Sequence, residues 1–202
     1  MLSSHNIYNQ KRREDIMIYK WGILCTATLI LAWSAQVLAL DARIDKVEVF
    51  KAERRVELIT MTKKGPQVVK SYDMSLGFEP LGHKTQEGDG KTPEGLYTLD
   101  WKNPNSKYHL SIHVSYPNQA DRDQARQRGV SPGGEIFIHG MPNNTKPWAW
   151  LISPAFNGSV NDMIHSILQD FDWTLGCVAF RNEDIEEIYK AVKIPTPIEI
   201  FP

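Results

Sequence analysis

Cys177 and His139 are the two residues whose types and positions point most directly to chemistry. Once the apolar segment near the N-terminus is set aside, Cys177 is the only cysteine in the chain. The apolar segment is typical of an export signal, and exported proteins normally pair their cysteines. An unpaired thiol in such a protein is a liability unless its reactivity is used. Cys177 follows Gly176 and begins a short apolar run, which is a suitable position from which to present a nucleophile.

His139 is the histidine best placed to serve that thiol. It ends the apolar run Ile136-Phe137-Ile138 and precedes Gly140, which we expect to turn the backbone away and leave the imidazole facing a cavity. A histidine in this position can take a proton from a thiol and later return it to a leaving amine. The alternative interpretation is a strand-end histidine that bonds a nearby carbonyl, and residue type alone favours that alternative.

The other histidines of the presumed mature chain are weaker candidates. His83 lies in a glycine-rich stretch, where we expect it to face substrate, whereas His165 lies on the polar side of a predicted helix and is expected at the surface. His109 and His113 are four residues apart on a predicted strand, which separates them by about 13 Å and excludes them as adjacent ligands of one metal ion. We therefore predict no metal site and no cofactor.

The elements that must position these residues are mostly strands. Alternating or continuous apolar runs predict strands over 47–50, 56–60, 67–76, 96–99, 108–114, 135–140, 177–180 and 198–201. Helical spacing predicts a helix over 159–170 and another that Asn182 caps, while 118–128 is either a solvated helix or an ordered loop. The glycine- and proline-rich stretch 77–95 is a long loop, and loops of this length in compact domains tend to be functional.

The N-terminal region has the pattern of an export signal. A basic flank precedes an apolar core over 21–33, and small residues near Ala39 offer a cleavage site, so that a mature chain would begin at Leu40. Met17 is an alternative start. We assign residues 1–39 to this extension and residues 44–202 to a single domain, with a periplasmic location. An uncleaved membrane anchor is the competing interpretation of the apolar core.

Composition excludes one large class of partners. The formal net charge is −1, and no run of Lys or Arg follows the apolar segment. Nucleic-acid-binding domains carry basic patches or stripes, so we predict no nucleic-acid partner. No repeat or low-complexity tract is present, and we expect a monomer.

Two short motifs, taken with the predicted strands between them, resemble the YkuD-type L,D-transpeptidases. Ile138-His139-Gly140 is similar to the strand-end His-Gly of that family, and Thr174-Leu175-Gly176-Cys177-Val178 is similar to its Ser/Thr-x-Gly-Cys motif. Upstream, Gly82-His83-Lys84 and 88–95 resemble its glycine-rich and Thr-Pro-x-Gly segments. Asp172-Trp173-Thr174 resembles the YafK-like branch. The resemblance covers about residues 44–202 and implies a mainly β fold with peripheral helices, a β-sandwich or partly open barrel.

Three features of the chain depart from the family pattern or are not explained by it. Leu175 stands where the family often has His, and Ala179 stands where many members have Arg, the nearest Arg being Arg181. A long segment separates His139 from Cys177. Its aromatic and proline residues either shape a substrate groove or pack an inserted helix (Pro142, Pro147, Trp148, Trp150, Pro154 and Phe156).

The resemblance implies acyl transfer on peptidoglycan stem peptides in the synthesis of the cell wall, which maintains cell shape. Cys177 would form a thioester, with His139 as base and then acid, and backbone groups near Gly176 and Cys177 would hold the oxyanion. The Gly140 carbonyl would orient the imidazole. Further residues that we expect to contact substrate are Thr174, His83, Trp173 and Arg181.

Three other functions remain open at this point. A related L,D-hydrolase, either a carboxypeptidase or an amidase that releases wall-linked lipoprotein, would use the same nucleophile with water as acceptor. A metal-dependent peptidase would need histidine and aspartate ligands, which the isolated histidines do not favour. A non-catalytic wall-binding module would keep the fold but would have no use for a bare thiol.

Overall fold

The computed structural model of the protein describes residues 43–146 and 159–202. Within these residues the chain forms mostly strands, and three helices lie among them, which confirms the predicted fold class. The strands are β1 (Lys46–Phe50), β2 (Arg55–Thr62), β3 (Gly65–Asp73), β4 (Gly95–Ser106), β5 (His109–Val114), β6 (Phe137–His139), β7 (Val178–Ala179) and β8 (Thr196–Phe201). The helices are α1 (Gln119–Arg128), α2 (Val160–Gln169) and α3 (Asn182–Ala191).

The strands form one sheet in the order β3-β2-β1-β8-β4-β5-β6-β7. The chain-adjacent strands β1, β2 and β3 make an antiparallel meander, as their alternating patterns predict. The last strand, β8, inserts between β1 and β4, parallel to the first and antiparallel to the second. This insertion joins the N-terminal meander to the strands β4, β5 and β6 that carry the site.

The two edges of the sheet approach each other. Directly after β3 the chain crosses to β7, where the Ser75 N–H donates to the Ala179 carbonyl at 2.9 Å and the Ala179 N–H donates to the Ser75 carbonyl at 2.8 Å. A second isolated bridge joins Gly77 to Thr174, and two such bridges do not close the sheet into a continuous barrel. The fold is therefore a curved, unclosed sheet, and the predicted strand 67–76 is too long because residues 74–76 leave β3 to make this crossing.

The main core lies on one face of the sheet. Inward-facing residues of several strands are fully buried, among them Val47, Leu99, Ile112, Ile138, Val178 and Ile198. Helix α3 covers this core with Ile185 and Ile188, both fully buried. Helix α2 packs elsewhere, where Ile164 and Leu168 form a second small cluster with Met141 and Trp173. Burial of the strand and helix faces in this way is the main stabilising contribution to the domain.

The N-termini of α1 and α3 are capped differently. Residues 118–128 do form a helix, α1, with Asn118 as N-cap in a reciprocal capping box with Asp121. The predicted capping role of Asn182 is wrong, because Arg181 is the N-cap of α3 and makes no side-chain capping bond. The Asn182 Oδ1 instead accepts a hydrogen bond from the Met141 N–H at 2.9 Å. This bond ties the start of α3 to the segment that follows β6.

The glycine-rich loop 77–95 is held by buried polar side chains. The Lys51 ammonium, 2% exposed, donates to the Gly82 carbonyl at 2.7 Å, the Thr92 carbonyl at 3.1 Å and the Glu94 carboxylate at 2.7 Å. Burial lowers the pKa of Lys51, and the Glu94 carboxylate opposes that shift. One side chain from the β1–β2 turn therefore satisfies acceptors at three points of the loop.

Replacement of Lys51 tests this anchoring. Lys51→Met leaves a buried carbonyl, a partly buried carbonyl and a carboxylate without their donor, so we expect the free energy of unfolding to fall by about 2–3 kcal/mol. Urea denaturation measures this loss. Lys63→Met, at an exposed position of the β2–β3 turn, is the control and should change stability by less than about 0.5 kcal/mol. Equal effects of the two substitutions would show that Lys51 does not anchor the loop.

Candidate active site

His139 is the last residue of β6, is 3% exposed and pairs with Ser111 of β5. Its Nδ1 lies 2.7 Å from the Gly140 carbonyl oxygen. A carbonyl oxygen only accepts, so Nδ1 carries the proton and Nε2 keeps its lone pair. Burial lowers the pKa of His139 to about 4, and the bond to Gly140 opposes this only in part. The imidazole is therefore neutral at neutral pH and is in the tautomer of a base.

The parallel pairing of β6 with β7 brings Cys177 to the same face of the sheet as His139. Ile138 pairs with Val178 and His139 pairs with Ala179, so Cys177, one residue before β7, lies opposite Phe137. Side chains alternate along strands, which places Cys177 and His139 on one face. Their positions differ by one strand spacing and two residues, about 8 Å between Cα atoms. The two side chains therefore lie on neighbouring strands of the same face of the sheet.

The thiol of Cys177 is protonated in the resting site. Its sulfur lies 3.6 Å from the Glu135 carbonyl oxygen, to which the thiol donates. Although the residue is partly exposed, burial of the sulfur raises the pKa of Cys177 to about 11, and the Phe137 N–H and the Lys84 ammonium lower it in part. The resting pair is therefore a neutral thiol and a neutral imidazole, and the thiol needs a base to become a nucleophile.

Two aromatic rings enclose the imidazole. The Tyr108 ring lies 4.5 Å from the His139 ring, and the Trp173 ring lies 5.8 Å from it, centroid to centroid. Burial and, to a smaller extent, the charge of Cys177 raise the pKa of the Tyr108 hydroxyl. Trp173 was expected to contact substrate, and here it packs against the proposed base. Tyr108 was not predicted, since a lone tyrosine in the β4–β5 turn has no sequence signature.

The turn before Cys177 is tied together by Thr174. Its hydroxyl donates to the Cys177 carbonyl at 2.8 Å and accepts from the Gly176 N–H at 3.1 Å. Thr174 is buried, so it shapes the turn, and the expected substrate contact of its side chain is not supported. The Gly176 N–H, expected to help hold an oxyanion, is already committed to this hydroxyl.

Gly176 and Gly140 are both required by close packing. Gly176 has φ of +123°, and a Cβ there would lie 2.5 Å from the Lys91 carbonyl oxygen in the glycine-rich loop. A Cβ on Gly140 would lie 2.8 Å from the Asn182 Oδ1 and 2.9 Å from the His109 Cβ. Gly140 does not have a left-handed φ, so glycine is required there by close packing, which lets α3 approach β6.

An ion pair that sequence reasoning missed holds the start of this turn. The Arg54 guanidinium binds the Asp172 carboxylate through Nε at 3.1 Å and Nη2 at 2.7 Å. Asp172 also accepts from the Leu76 N–H at 2.8 Å. Arg54 has φ of +53°, an uncommon conformation for a non-glycine residue. The β1–β2 turn therefore reaches across the fold to fix the segment that carries Cys177.

The other expected substrate-binding residues lie in two different settings. His83 accepts from the Glu94 N–H at Nδ1, 2.9 Å away, and its Nε2 lies 3.2 Å from the Asp121 carboxylate. Both ring nitrogens are therefore occupied within the protein, and the expected contact of His83 with substrate is not supported.

Arg181 is exposed and lines a cavity of about 420 Å³ with Met141, Asp162, His165, Ser166, Asn182 and Glu183. Arg181 therefore remains available to a ligand.

The remaining histidines do not assemble a metal site. His109 pairs with Glu186 and His113 with Asp100, each at 2.7 Å. His165 is half-buried, not at the surface as expected, and its Nε2 donates to the Pro142 carbonyl at 3.1 Å. In the part of the chain that the structure describes, no group of three or more His, Cys, Asp or Glu side chains is placed to hold a metal ion.

Some sequence predictions fall outside the described residues. These are the N-terminal extension and most of the aromatic segment between β6 and α2, namely Pro147, Trp148, Trp150, Pro154 and Phe156. Across residues 43–146 and 159–202, none of the helices has the length and apolar character needed to cross a membrane.

Comparison with known proteins identifies the domain. Residues 45–200 match the family model described as YkuD, the L,D-transpeptidase catalytic domain. The chain belongs to this family. It is 26% identical over 148 residues to the Escherichia coli K12 protein named "Putative L,D-transpeptidase YafK", with 72% of this chain and 46% of that protein covered. The chain therefore spans just under half the length of this relative.

Two solved structures share the fold. The helical cell shape determining protein Pgp2 from Campylobacter jejuni superposes with a TM-score of 0.54 at 22% identity and covers 79% of this chain and 48% of its own. Bd1075 from Bdellovibrio bacteriovorus superposes with a TM-score of 0.50 at 24% identity, with the same coverage. At these identities the similarity establishes the architecture of the YkuD-type domain.

The Arg54–Asp172 pair is testable by a double-mutant cycle. Arg54→Met and Asp172→Asn should each lower the free energy of unfolding by about 1–2 kcal/mol, since the pair is bidentate but partly exposed. Because each substitution breaks the same bond, the double variant should lose much less than the sum of both. Urea denaturation gives the energies, and the rate of Cys177 alkylation by iodoacetamide reports whether the turn has moved. Additive energies would show that the pair does not couple these segments.

Burial of neutral His139 should make the domain sensitive to acid. In the unfolded chain the histidine titrates near its usual value of about 6.5, whereas the folded value is about 4. The unfolded state therefore binds more protons between these values, and stability falls as pH drops through this window, by up to about 3 kcal/mol. Urea denaturation at pH 7 and pH 4.5 measures the loss. His139→Gln should show a smaller loss, and an equal loss in both proteins would contradict this assignment.

Proposed function

We propose that the domain is a cysteine-dependent L,D-transpeptidase that acts on peptidoglycan stem peptides through a thioester on Cys177. Membership of the YkuD L,D-transpeptidase family supports an acyltransferase. The observation that carries the residue assignment is the fixed tautomer of His139, whose Nδ1–H donates to Gly140 and whose Nε2 lone pair remains on the face that Cys177 shares. A neutral base beside a neutral thiol is the resting state that general-base activation requires.

In the proposed acylation step, the proton of the Cys177 thiol passes to His139 Nε2 as the sulfur attacks the amide carbonyl after the third residue of the stem peptide. The carbonyl oxygen becomes an oxyanion, for which we propose the Cys177 N–H as a donor, since the Gly176 N–H is engaged with Thr174. The intermediate then collapses to a thioester. The C–N bond breaks, and the leaving amine takes the proton from His139.

Burial makes charge separation between Cys177 and His139 costly. The formation of an imidazolium in a buried position is unfavourable unless a negative charge forms beside it. In the proposed step the oxyanion or thiolate supplies that charge at the same moment. The Gly140 carbonyl, bonded to Nδ1–H, stabilises the imidazolium further. Proton transfer and attack on the carbonyl are therefore expected to be concerted, without a long-lived ion pair in the free enzyme.

The acceptor decides between transfer and hydrolysis. An amine of a second stem peptide would attack the thioester with His139 as base, form a new amide bond and release Cys177, which gives a crosslink. Water in place of the amine would give a carboxylate, and the enzyme would act as an L,D-hydrolase. The partial exposure of Cys177 favours keeping hydrolysis as the second candidate. The donor and acceptor stem peptides are both parts of the cell wall, so we propose a periplasmic location.

Acylation by a carbapenem tests the nucleophile and its base separately. The purified full chain is incubated with the β-lactam and its intact mass is recorded over time. We expect an adduct that is absent in Cys177→Ala, since ring opening by the sulfur gives a stable thioester, and a rate at least about 100-fold lower in His139→Gln.

His113→Gln is the matched control, because His113 is a paired histidine two strands from β7. It should acylate at the rate of the unmodified chain. An adduct that persists in Cys177→Ala, or an unchanged rate in His139→Gln, would overturn the assignment.

A second measurement separates transfer from hydrolysis. The full chain is incubated with a purified disaccharide-tetrapeptide, and the products are analysed by mass spectrometry. Dimers joined between third residues indicate transfer, whereas disaccharide-tripeptide without dimers indicates hydrolysis. If Cys177 is acylated by the β-lactam and neither product forms, stem peptides are not the substrate.

A further inference from the structure

A β-bulge in β4 places two consecutive side chains on one face of the sheet. Leu99 pairs with Val114 and Lys102 pairs with Ile112, so Asp100 and Trp101 together lie opposite the single residue His113. Consecutive strand residues normally point to opposite faces, and a bulge of this kind re-aims a side chain. Both side chains here reach His113: the Asp100 carboxylate lies 2.7 Å from its Nδ1, and the Trp101 ring stacks on it with centroids 5.6 Å apart.

Phe137 of β6 completes a group of three rings, which we call the aromatic platform (Trp101, His113 and Phe137). Phe137 pairs with His113 in register, and their ring centroids lie 5.2 Å apart. The edge-to-face contact between Trp101 and Phe137 is 5.6 Å. Trp101 is 43% exposed although it has two ring partners. These contacts fix the orientation of the Trp101 indole. Part of the large, flat apolar surface of the indole remains open to solvent.

The aromatic platform is continuous with the proposed active site. Phe137 lies opposite Cys177 in the parallel pairing, and its backbone N–H hydrogen-bonds the sulfur. The platform rings share the face that carries Cys177 and His139, because His113 pairs with Phe137 and Ser111 pairs with His139. Trp101 lies three strand spacings from Cys177, about 14 Å across the sheet.

This separation shows which part of a stem-peptide substrate would reach the platform. The acceptor amine must attack at Cys177 itself, so it cannot also occupy a position about 14 Å away. Three extended residues, from the thioester back to the start of the stem peptide, span about 10 Å. The group that follows next in that direction is the sugar to which the stem peptide is attached. The platform is therefore at the distance of the glycan strand.

We propose that the aromatic platform is a glycan subsite, on which Trp101 stacks against the C–H face of an N-acetylated pyranose ring and Asp100 accepts from a sugar hydroxyl. The apolar face of a pyranose is flat and matches an exposed indole, while its hydroxyls need hydrogen-bond partners at the rim. Asp100 is 39% exposed at its side chain and lies beside the rings. This inference rests on the proposed function for the identity of the polymer, but the platform is separate from the catalytic pair.

Titration with a β-1,4-linked N-acetylglucosamine tetramer tests the subsite directly. The full chain with Cys177→Ala is used so that no reaction occurs, and binding is followed by NMR or calorimetry. We expect saturable binding that Trp101→Ala weakens at least about 10-fold and Trp101→Phe weakens about 3-fold, in line with the area of the stacking ring. Phe171→Ala, a control at an aromatic residue that is also 43% exposed, should leave binding unchanged.

Two results would overturn the proposal. One is absence of binding by the tetramer, or binding that Trp101→Ala does not change in a protein whose thermal unfolding is unaltered. The other is binding of the free stem tetrapeptide, without sugar, that is lost in Trp101→Ala, which would make the platform a peptide site.

Kinetics separate the failure of this proposal from the failure of the proposed function. With Cys177 intact, Trp101→Ala should be acylated by the carbapenem as fast as the unmodified chain, since the β-lactam carries no sugar. With the disaccharide-tetrapeptide, the same variant should show a raised KM at little changed kcat. If the tetramer binds although Cys177 proves unreactive toward the carbapenem, the glycan subsite is supported and the proposed enzymatic function is contradicted.

Discussion

The parallel pairing of β6 with β7 is the interaction on which the site depends, because it aligns His139 with the short strand that follows Cys177. Only two residue pairs define it, Ile138 with Val178 and His139 with Ala179. Strands this short are not stable by themselves. Strand β7 is held from its other side as well, by the reciprocal bonds between Ser75 and Ala179. The bonds at this edge of the sheet therefore also support the position of Cys177.

The turn before Cys177 is over-determined by contacts from distant parts of the chain. Arg54 reaches Asp172 from the β1–β2 turn, Thr174 ties the two ends of the turn, and Gly176 packs on the backbone of the glycine-rich loop. These contacts are an ion pair, hydrogen bonds and close packing, so the loss of one of them does not remove the others. The proposed role of Cys177 as a nucleophile requires that it be held within a fraction of an ångström of its working position, and such a set of independent restraints meets that requirement.

Local patterns made part of this arrangement predictable from the sequence. The unpaired Cys177, the strand-end His139 and the glycine-rich loop each have a signature within a few residues, and alternation located most strands. The insertion of β8 between β1 and β4 has no such signature, because its partners are distant in the chain. Tyr108, the Arg54–Asp172 pair and the bulge at Asp100 were missed for the same reason. The substrate contacts of Thr174 and His83 stay predictions, and the structure shows that the polar groups of both residues also bond within the protein, as polar groups in tight loops commonly do.

A resting site of two neutral groups also accounts for how a single thiol can persist in an oxidising compartment, where we propose that the enzyme works. Oxidation and disulfide exchange proceed through the thiolate. With the pKa of Cys177 raised to about 11, very little thiolate exists at neutral pH. The buried imidazole does not generate it in advance, since the pKa of His139 is lowered to about 4 and an imidazolium there is unfavourable without substrate. In the proposed mechanism, the same burial that makes charge separation costly without substrate therefore reserves Cys177 for a carbonyl that accepts the negative charge as it forms.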